Sequence, residues 1–154
     1  AVTTTDTRWS RCDIKSISLL ANVLLRDEAT QAGAQETILL RDGLLTEGST
    51  STAHIVMQGK LLTPPDSRWI LPGTTRSVVE ELTDRIGLTR ETRAVTETEL
   101  RNAEEIWIAS SGRAVMPVTK LDGRAVGAGI PGPAWRKVWQ AFLDYRRECA
   151  TQPW

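Results

Sequence analysis

The sequence is poor in the residues that build metal sites and disulfide networks. Its 154 residues contain two cysteines, Cys12 and Cys149, and one histidine, His54. One His and two Cys at such distant positions cannot form a zinc site of the usual spacing, so no metal is expected. Two unpaired cysteines near opposite ends of the chain fit a reducing compartment, and we expect a cytoplasmic protein.

Excess charge and long apolar runs are also missing. The 19 acidic and 19 basic residues give a net charge of zero, and no block of like charge occurs. Neither nucleic acid nor a membrane surface is therefore expected as a partner, and the expected ligand is a small molecule. No apolar stretch approaches the length of a membrane span, and no signal peptide is recognisable. The first residue is not methionine, so we expect further sequence upstream.

Hydrophobic periodicity and turn residues predict one α+β domain with a mixed, hairpin-rich sheet and flanking helices. Strands are predicted at residues 1–5, 36–40, 44–46, 53–57, 61–63, 90–95, 105–109 and 115–121. Helices are predicted at residues 18–32, from residues 73–75 to Ile86, at residues 97–103, and from Ala134 onwards. The first helix should be amphipathic, and the rings of the last should be core or interface. Asp42-Gly43, Gly48-Ser49 and Gln58-Gly59 predict turns between antiparallel strands.

Lysine is rare, and one of the four lysines has an unusual setting. Lys15 lies between Ile14 and Ile17, directly before the first predicted helix. Desolvation lowers the pKa of a lysine amine and makes it a nucleophile suited to Schiff-base chemistry. The alternative is an ordinary lysine whose stem packs on apolar surface and whose ammonium group lies in water.

Three further stretches contain residues suited to a binding site. Residues 46–52 join the acid Glu47 to a glycine and four consecutive hydroxyl residues, which predicts a carboxylate fixed by hydroxyls; an ordinary turn has the same composition. Residues 73–75 begin a predicted helix, where free N–H groups suit a phosphate, although threonine is also a common helix cap. Residues 110–112 end a strand with more donors. One lysine, one acid and two phosphate-ready loops are what a pyridoxal-phosphate enzyme needs.

Several stretches, taken in order, carry a resemblance to a known family. They are Arg11-Cys12-Asp13-Ile14-Lys15-Ser16, Leu19-Leu20, Asn22-Val23-Leu24, residues 36–40, Thr46-Glu47-Gly48-Ser49, Leu71-Pro72-Gly73-Thr74-Thr75-Arg76 and Pro117-Val118. These motifs resemble the class IV, fold-type IV pyridoxal-phosphate aminotransferases over nearly the whole chain. The lysine motif favours the D-amino-acid branch over branched-chain aminotransferases and aminodeoxychorismate lyases.

The resemblance implies the fold-type IV large domain, with a mixed, barrel-like sheet, and pyridoxal 5′-phosphate as the cofactor. Lys15 would be the catalytic residue, forming the aldimine and moving a proton between Cα and C4′. Glu47 would contact the pyridine nitrogen and keep it protonated, so that the ring accepts electrons. Leu71 would pack on the ring and Ser51 would help to hold it. The residues implied for the phosphate are Gly73, Thr74, Thr75, Ser110 and Ser111.

The resemblance covers only the C-terminal, cofactor-binding domain, at residues 1–154, and the smaller N-terminal domain is absent. In the family that domain supplies an arginine for the phosphate, a tyrosine for the ring hydroxyl and the groups that hold the substrate carboxylate. The implied reaction is amino transfer between a D-amino acid, such as D-alanine, and a 2-oxo acid, in a homodimer of the full-length form.

Alternatives on the same fold are an amine transaminase, a branched-chain aminotransferase or an aminodeoxychorismate lyase; an inactive cofactor-binding fragment is a further alternative. The sequence also departs from the family at one place. Thr52-Ala53-His54 stands where family members usually carry Asn-Val-Phe, so the hydrogen bonding of the preceding turn is expected to differ.

Overall fold

The computed structural model describes residues 1–151, which form two sheets, a two-stranded ribbon and four helices. The strands are β1 (Val2–Thr5), β2 (Thr37–Arg41), β3 (Leu44–Gly48), β4 (Thr52–Met57), β5 (Lys60–Thr63), β6 (Arg90–Thr92), β7 (Glu105–Ser110), β8 (Ala114–Val118), β9 (Lys120–Leu121) and β10 (Arg124–Ala125). The helices are α1 (Leu20–Gln31), α2 (Thr74–Arg85), α3 (Glu97–Arg101) and α4 (Pro133–Thr151).

The first sheet has the order β1-β2-β3, with β1 parallel and β3 antiparallel to β2. Asp42 and Gly43 connect β2 to β3 with φ angles of 53° and 74°, the left-handed pair of a tight hairpin. The chain leaving β1 lies beside the end of β3, because Thr46 Oγ1 donates a hydrogen bond to Asp6 at 3.0 Å. This arrangement brings the residues before Lys15 next to Glu47.

The second sheet has the order β6-β5-β4-β7-β8. β4 lies at its centre and pairs antiparallel with β5 and β7, while β6 runs parallel to β5. The β4–β5 turn, Gln58-Gly59, has positive φ angles as the sequence predicts for a hairpin. The start of β4 and the end of β7 therefore lie side by side, next to the start of α2.

The core has two parts because the second sheet is covered on both faces. One face packs against the first sheet, with Ile55 and Ile106 meeting Ile38 and Leu45. The other face lies under α2 and α4, where Trp107 is completely buried with residues of both helices. Burial on both faces explains why all residues of β4 and β7 except the last of each are buried, without the alternation of a half-exposed strand.

A buried carboxylate fixes the start of α4. Glu105 accepts hydrogen bonds from the backbone N–H groups of Ala134 and Trp135, at 2.9 and 2.8 Å, and from Trp107 Nε1 at 2.9 Å. An acid at a helix N-terminus satisfies free N–H groups and interacts favourably with the helix dipole. Trp135 stacks on Trp139 and packs against the core, as predicted for the rings of this helix.

Three details of the predicted topology are wrong. Gly48-Ser49 does not connect a hairpin: β3 and β4 belong to different sheets, and a tight turn closed by Gly48 N–H donating to Ser51 O at 2.6 Å carries the chain between them. Residues 115–121 divide into β8 and β9, because the chain turns away after Val118 to form the ribbon with β10. The α+β architecture with hairpins and flanking helices is confirmed, but the sheets of residues 1–151 do not close into a barrel.

The first helix is present, but its expected burial is not. Leu19, Leu20, Val23 and Leu24 are exposed, Leu20 by 73%, and the helix contacts the domain through Leu25 and Ala29 instead. The apolar face predicted from the periodicity therefore points away from the described part of the chain. None of the helices in residues 1–151 combines the length and apolar character that crossing a membrane requires.

Candidate active site

A cavity of about 700 Å³ lies between the first sheet, α1 and the start of α2. All the residues that the sequence singled out for a cofactor site line this one cavity, and they come from four separate stretches of chain. They are Lys15, Glu47, Ser51, Leu71, Gly73, Thr74, Thr75, Ser110 and Ser111. The volume is typical of small-molecule sites. The roles assigned to the individual residues stay predictions.

Lys15 lies in the irregular segment between β1 and α1 and is exposed. Its neighbours Ile14 and Ile17 are exposed too, Ile17 by 96%, so the expected desolvation of this lysine is not found in the described chain. The segment is fixed further upstream, where Cys12 Sγ–H donates to Trp9 O at 3.2 Å and Arg11 pairs with Asp13. Lys15 thus projects from an anchored segment into the cavity.

Glu47 is held by an arginine that the sequence analysis missed. Its carboxylate is only 4% exposed; Arg8 Nη1 contacts one oxygen, and Leu71 N–H donates to the other at 3.2 Å. Arg8 is itself buried, pairs with Asp6 at 2.9 Å and donates to Trp69 O at 2.9 Å. The prediction that neighbouring hydroxyls hold Glu47 is wrong. The sequence does not reveal Arg8, because its partner Glu47 is distant along the chain and no local spacing indicates the pair.

In this cluster, burial and ion pairing shift the pKa values of the side chains in opposite directions. Burial raises the pKa of Glu47 to about 7, although Arg8 and the Leu71 N–H act in the other direction. Burial also works against the charged forms of Arg8 and Asp6, but their ion pairing outweighs it, so the pKa of Arg8 is raised and that of Asp6 is lowered. A permanent positive charge therefore lies against the Glu47 carboxylate.

The hydroxyls of residues 49–51, here called the hydroxyl turn, bind a different acid. Ser49, Thr50 and Ser51 all donate to the carboxylate of Glu36, Thr50 at 3.1 Å and Ser51 at 3.0 Å. Glu36 is fully buried and also accepts from Thr37 N–H. The hydroxyl turn is therefore anchored from behind, on the side away from the cavity.

The contacts of Ser51 and Glu36 in the hydroxyl turn differ from those that the sequence predicts. The Ser51 hydroxyl, expected to help hold the ring, is engaged with Glu36. The sequence predicts only a strand position for Glu36. The signal that could have indicated its role is an acidic residue at the start of an apolar run, with no basic residue beside it in the sequence. Asn22 Nδ2 completes the frame by donating to Ser49 O at 2.8 Å, which ties α1 to the turn.

The start of α2 offers free donors to the cavity. Gly73 is the N-cap residue, with φ −76° and ψ 135°, and no side chain caps the helix. The first N–H groups of α2 therefore have no partner within the helix, and a helix N-terminus favours an anion. Ser110 and Ser111, at the β7–β8 turn, line the same end of the cavity. We call residues 73–75 with 110–111 the phosphate cup.

The fold and the cavity define a class that the comparisons with known proteins identify. The class IV amino-transferase family model matches residues 1–121, and the chain belongs to this family. A D-alanine aminotransferase of Bacillus licheniformis is 46% identical over 144 residues, which cover 94% of this chain and 51% of that protein. The chain thus spans about half the length of the relatives it matches.

Solved structures support the same assignment. A fold IV transaminase from Curtobacterium pusillum superposes with a TM-score of 0.83 at 30% identity, covering 97% of this chain and 52% of that one. A T.th. branched-chain amino acid aminotransferase with pyridoxamine 5′-phosphate gives a TM-score of 0.82 at 28% identity, covering 92% and 49% of the two chains. The fold-type IV architecture expected from the sequence is confirmed.

Pyridoxal 5′-phosphate is the cofactor of class IV aminotransferases, and the residues of this cavity fit it. An accessible lysine amine, a buried carboxylate and an uncapped helix N-terminus line the same space. These groups match the aldehyde, the ring nitrogen and the phosphate of that molecule. Within residues 1–151, no group of three or more His, Cys, Asp or Glu side chains is arranged to hold a metal ion.

Proposed function

We propose that this chain is the cofactor-binding part of an aminotransferase that exchanges an amino group between a D-amino acid, such as D-alanine, and a 2-oxo acid. One observation carries the proposal: Lys15, Glu47 and the uncapped N-terminus of α2 line a single cavity. The individual features are common in proteins, whereas their convergence from distant parts of the chain is not. The 46% identity to a D-alanine aminotransferase supports the choice of substrate class.

Lys15 and Glu47 divide the chemistry between them. When bound, the cofactor supplies an aldehyde for a covalent link and a ring that accepts electrons. Lys15 provides the amine for that link, and the same amine, once released, is placed to move the proton at the substrate Cα. Glu47 holds a proton at the ring nitrogen. Both of its oxygens already accept hydrogen bonds, but each has a second lone pair, so the carboxylate can accept one more.

Arg8 determines how well Glu47 performs this role. A buried carboxylate without a partner would be protonated near neutral pH, whereas the adjacent guanidinium favours the charged form. The Asp6 carboxylate and the Trp69 carbonyl hold Arg8 in turn. Glu47 is consequently a buried, pre-positioned carboxylate whose pKa of about 7 allows its charged form to be populated near neutral pH, and its burial strengthens the interaction of that form with the ring nitrogen.

One side of the cavity is exposed, and the substrate and the rest of the protein would contact the chain there. Ile14, Ile17, Leu19, Leu20, Val23 and Leu24, here called the apolar segment, are exposed beside Lys15. Exposed apolar surface of this extent marks a contact with other protein. We propose that the remaining half of the polypeptide, and the second copy of a homodimer, cover it and supply the groups that bind the substrate carboxylate.

A branched-chain aminotransferase is the second candidate, because solved structures bearing that name have TM-scores up to 0.84 with this chain. Their identity of 26–29% is well below that of the D-alanine aminotransferase. A substrate assay distinguishes the two candidates. The polypeptide extended upstream to the length of its relatives is supplied with 2-oxoglutarate and either D-alanine or L-leucine. We expect pyruvate from D-alanine and little reaction of L-leucine.

The variant Lys15→Ala tests the residue assignment in the same assay. Loss of the amine should lower the rate by at least about a thousandfold, since Lys15 is the one lysine among the described residues that line the cavity. Lys60→Ala is the matched control, because Lys60 is exposed in the β4–β5 hairpin and remote from the cavity. Turnover of L-leucine in place of D-alanine would contradict the substrate proposal, and an active Lys15→Ala variant would contradict the mechanism.

A further inference from the structure

Arg76 is a buried arginine at the phosphate cup that the cofactor chemistry leaves without a role. It is the third residue of α2, is only 6% exposed and lines the cavity. Arginine is almost never fully buried unless several groups bind it. The positions of its partners indicate what it does.

The guanidinium connects α2 to the segment that precedes it. Nη2 donates to the carbonyl of Pro64 at 3.1 Å, and Nη1 lies 2.8 Å from a carboxylate oxygen of Asp66, an ion pair outside hydrogen-bonding geometry. Nε donates to Glu80, one turn further along α2, at 2.8 Å. One side chain thus holds the first turn of α2 against the exit from β5. Only the planar fork of an arginine reaches three such partners at once.

The segment that Arg76 holds, residues 64–73, carries groups that the cofactor needs. It runs from β5 to α2 and contains Leu71, whose N–H donates to Glu47. Arg8 fixes the middle of the segment by binding Trp69 O, and Arg76 fixes its start at Pro64 and Asp66. The segment is therefore held at two places by buried arginines, one next to the ring acid and the other at the phosphate cup.

We propose that Arg76 is a positioning residue for the cofactor phosphate: by joining α2 to Pro64 and Asp66, it aims the free N–H groups of the phosphate cup at the anion. This inference rests on the proposed function. Asp66 and Glu80 balance its charge, so its effect is chiefly geometric. Preset donors bind an anion without a cost of reorganisation, and a displacement of about 1 Å weakens such sites strongly.

A comparison of two ligands tests the proposal at the phosphate. Pyridoxamine 5′-phosphate and pyridoxamine differ only in the phosphate, and neither forms a link with Lys15. We expect Arg76→Met to weaken binding of pyridoxamine 5′-phosphate by about tenfold or more, and that of pyridoxamine by less than about twofold. Fluorescence titration measures both dissociation constants. Equal weakening of both ligands, or no weakening of either, would overturn the proposal.

Two further variants separate geometry from charge. Arg76→Lys keeps the positive charge but cannot reach three partners, so we expect it to restore only part of the lost affinity. Arg90→Met is the matched control, because Arg90 also contacts Glu80 but lies on the surface and does not touch residues 64–73. Complete restoration by Arg76→Lys would show that charge alone suffices and would contradict a positioning role.

Amide hydrogen exchange without any ligand gives an independent result. In Arg76→Met, the Leu71 amide should exchange at least about tenfold faster, because the segment that carries Leu71 is no longer fixed and its hydrogen bond to Glu47 opens more often. Arg76→Lys replaces this variant if Arg76→Met does not fold. Amides near Leu82, in the second half of α2, should change little. Unchanged exchange at Leu71 would overturn the inference. Failure of the unaltered protein to bind pyridoxamine 5′-phosphate would instead contradict the proposed function, and exchange would still decide the role of Arg76.

Discussion

His54 occupies a position where a histidine is fully buried beneath α2. Its Nδ1 hydrogen bonds with Thr63 Oγ1 at 2.8 Å, and its Nε2 has no hydrogen-bond partner among residues 1–151. Complete burial, with a smaller contribution from the positive charge of Arg76, lowers the pKa of His54 from 6.5 to about 3. The imidazole is therefore neutral in the folded protein throughout the physiological range.

The pH dependence of stability follows from this shift. As the pH falls below 6.5, the unfolded chain gains a proton on His54 while the folded chain does not, until about pH 3. Stability that is fully present above pH 6.5 is therefore lost as the pH falls, by up to about 1.4 kcal/mol per pH unit. In His54→Phe, which removes the titrating group and keeps an aromatic ring, we expect the dependence of the free energy of unfolding on pH between about pH 6 and pH 4 to decrease by an amount that corresponds to nearly one proton. Urea unfolding at several pH values measures it, and an unchanged slope would contradict this account of His54.

Among the helices, α4 depends on a single side chain for its start. Glu105→Ala would remove the acceptor of two backbone N–H groups and of the buried Trp107 Nε1. We expect a loss of about 2–4 kcal/mol in the free energy of unfolding, since buried donors left without a partner are costly. Glu104→Ala is the control: Glu104 is exposed and accepts from the Gln58-Gly59 turn. Thermal or urea denaturation measures both, and equal losses would contradict the capping role.

The elements that the sequence predicts well are those specified by local signals. The helices and most strands follow from periodicity, and the Asp42-Gly43 and Gln58-Gly59 hairpins follow from residues that adopt positive φ. Gly48-Ser49 has a similar composition but connects two sheets, because tertiary packing, rather than local preference, decides which strands pair. The failed burial of α1 has the same origin. An apolar face predicts a contact, and within residues 1–151 no element covers this face of α1.

The residues of the candidate site also divide into those that local sequence reveals and those that only the fold reveals. Lys15, Glu47 and the phosphate cup were found from local motifs and the family resemblance, and they line one cavity. Arg8, Glu36 and Arg76 were not assigned roles, since each acts through partners brought close only by the fold. Groups that contact a ligand leave a recognisable motif, whereas groups that hold those residues in place are defined by three-dimensional contacts.

On the scale of the whole molecule, the apolar segment should govern association. Its side chains are exposed in the described chain, and surface of this kind binds other protein. We expect the 154-residue chain to associate at micromolar concentrations, and Ile17→Ser with Leu20→Ser to reduce that association. Both side chains are exposed, so stability should change by less than about 1 kcal/mol. Sedimentation velocity measures the association, and an identical distribution for the variant would show that the segment is not a contact surface.

The assignment of Lys15 to a cofactor site built largely by this chain can be tested without any substrate. Incubation with pyridoxal 5′-phosphate, borohydride reduction and peptide mapping by mass spectrometry test it directly, because reduction makes the covalent link permanent. We predict one phosphopyridoxyl group on the peptide containing Lys15, and none on that peptide in Lys15→Ala. The polypeptide extended to the length of its relatives should give the same result with higher occupancy. Modification spread over Lys60, Lys120 and Lys137, or none on Lys15 in either form, would contradict the account.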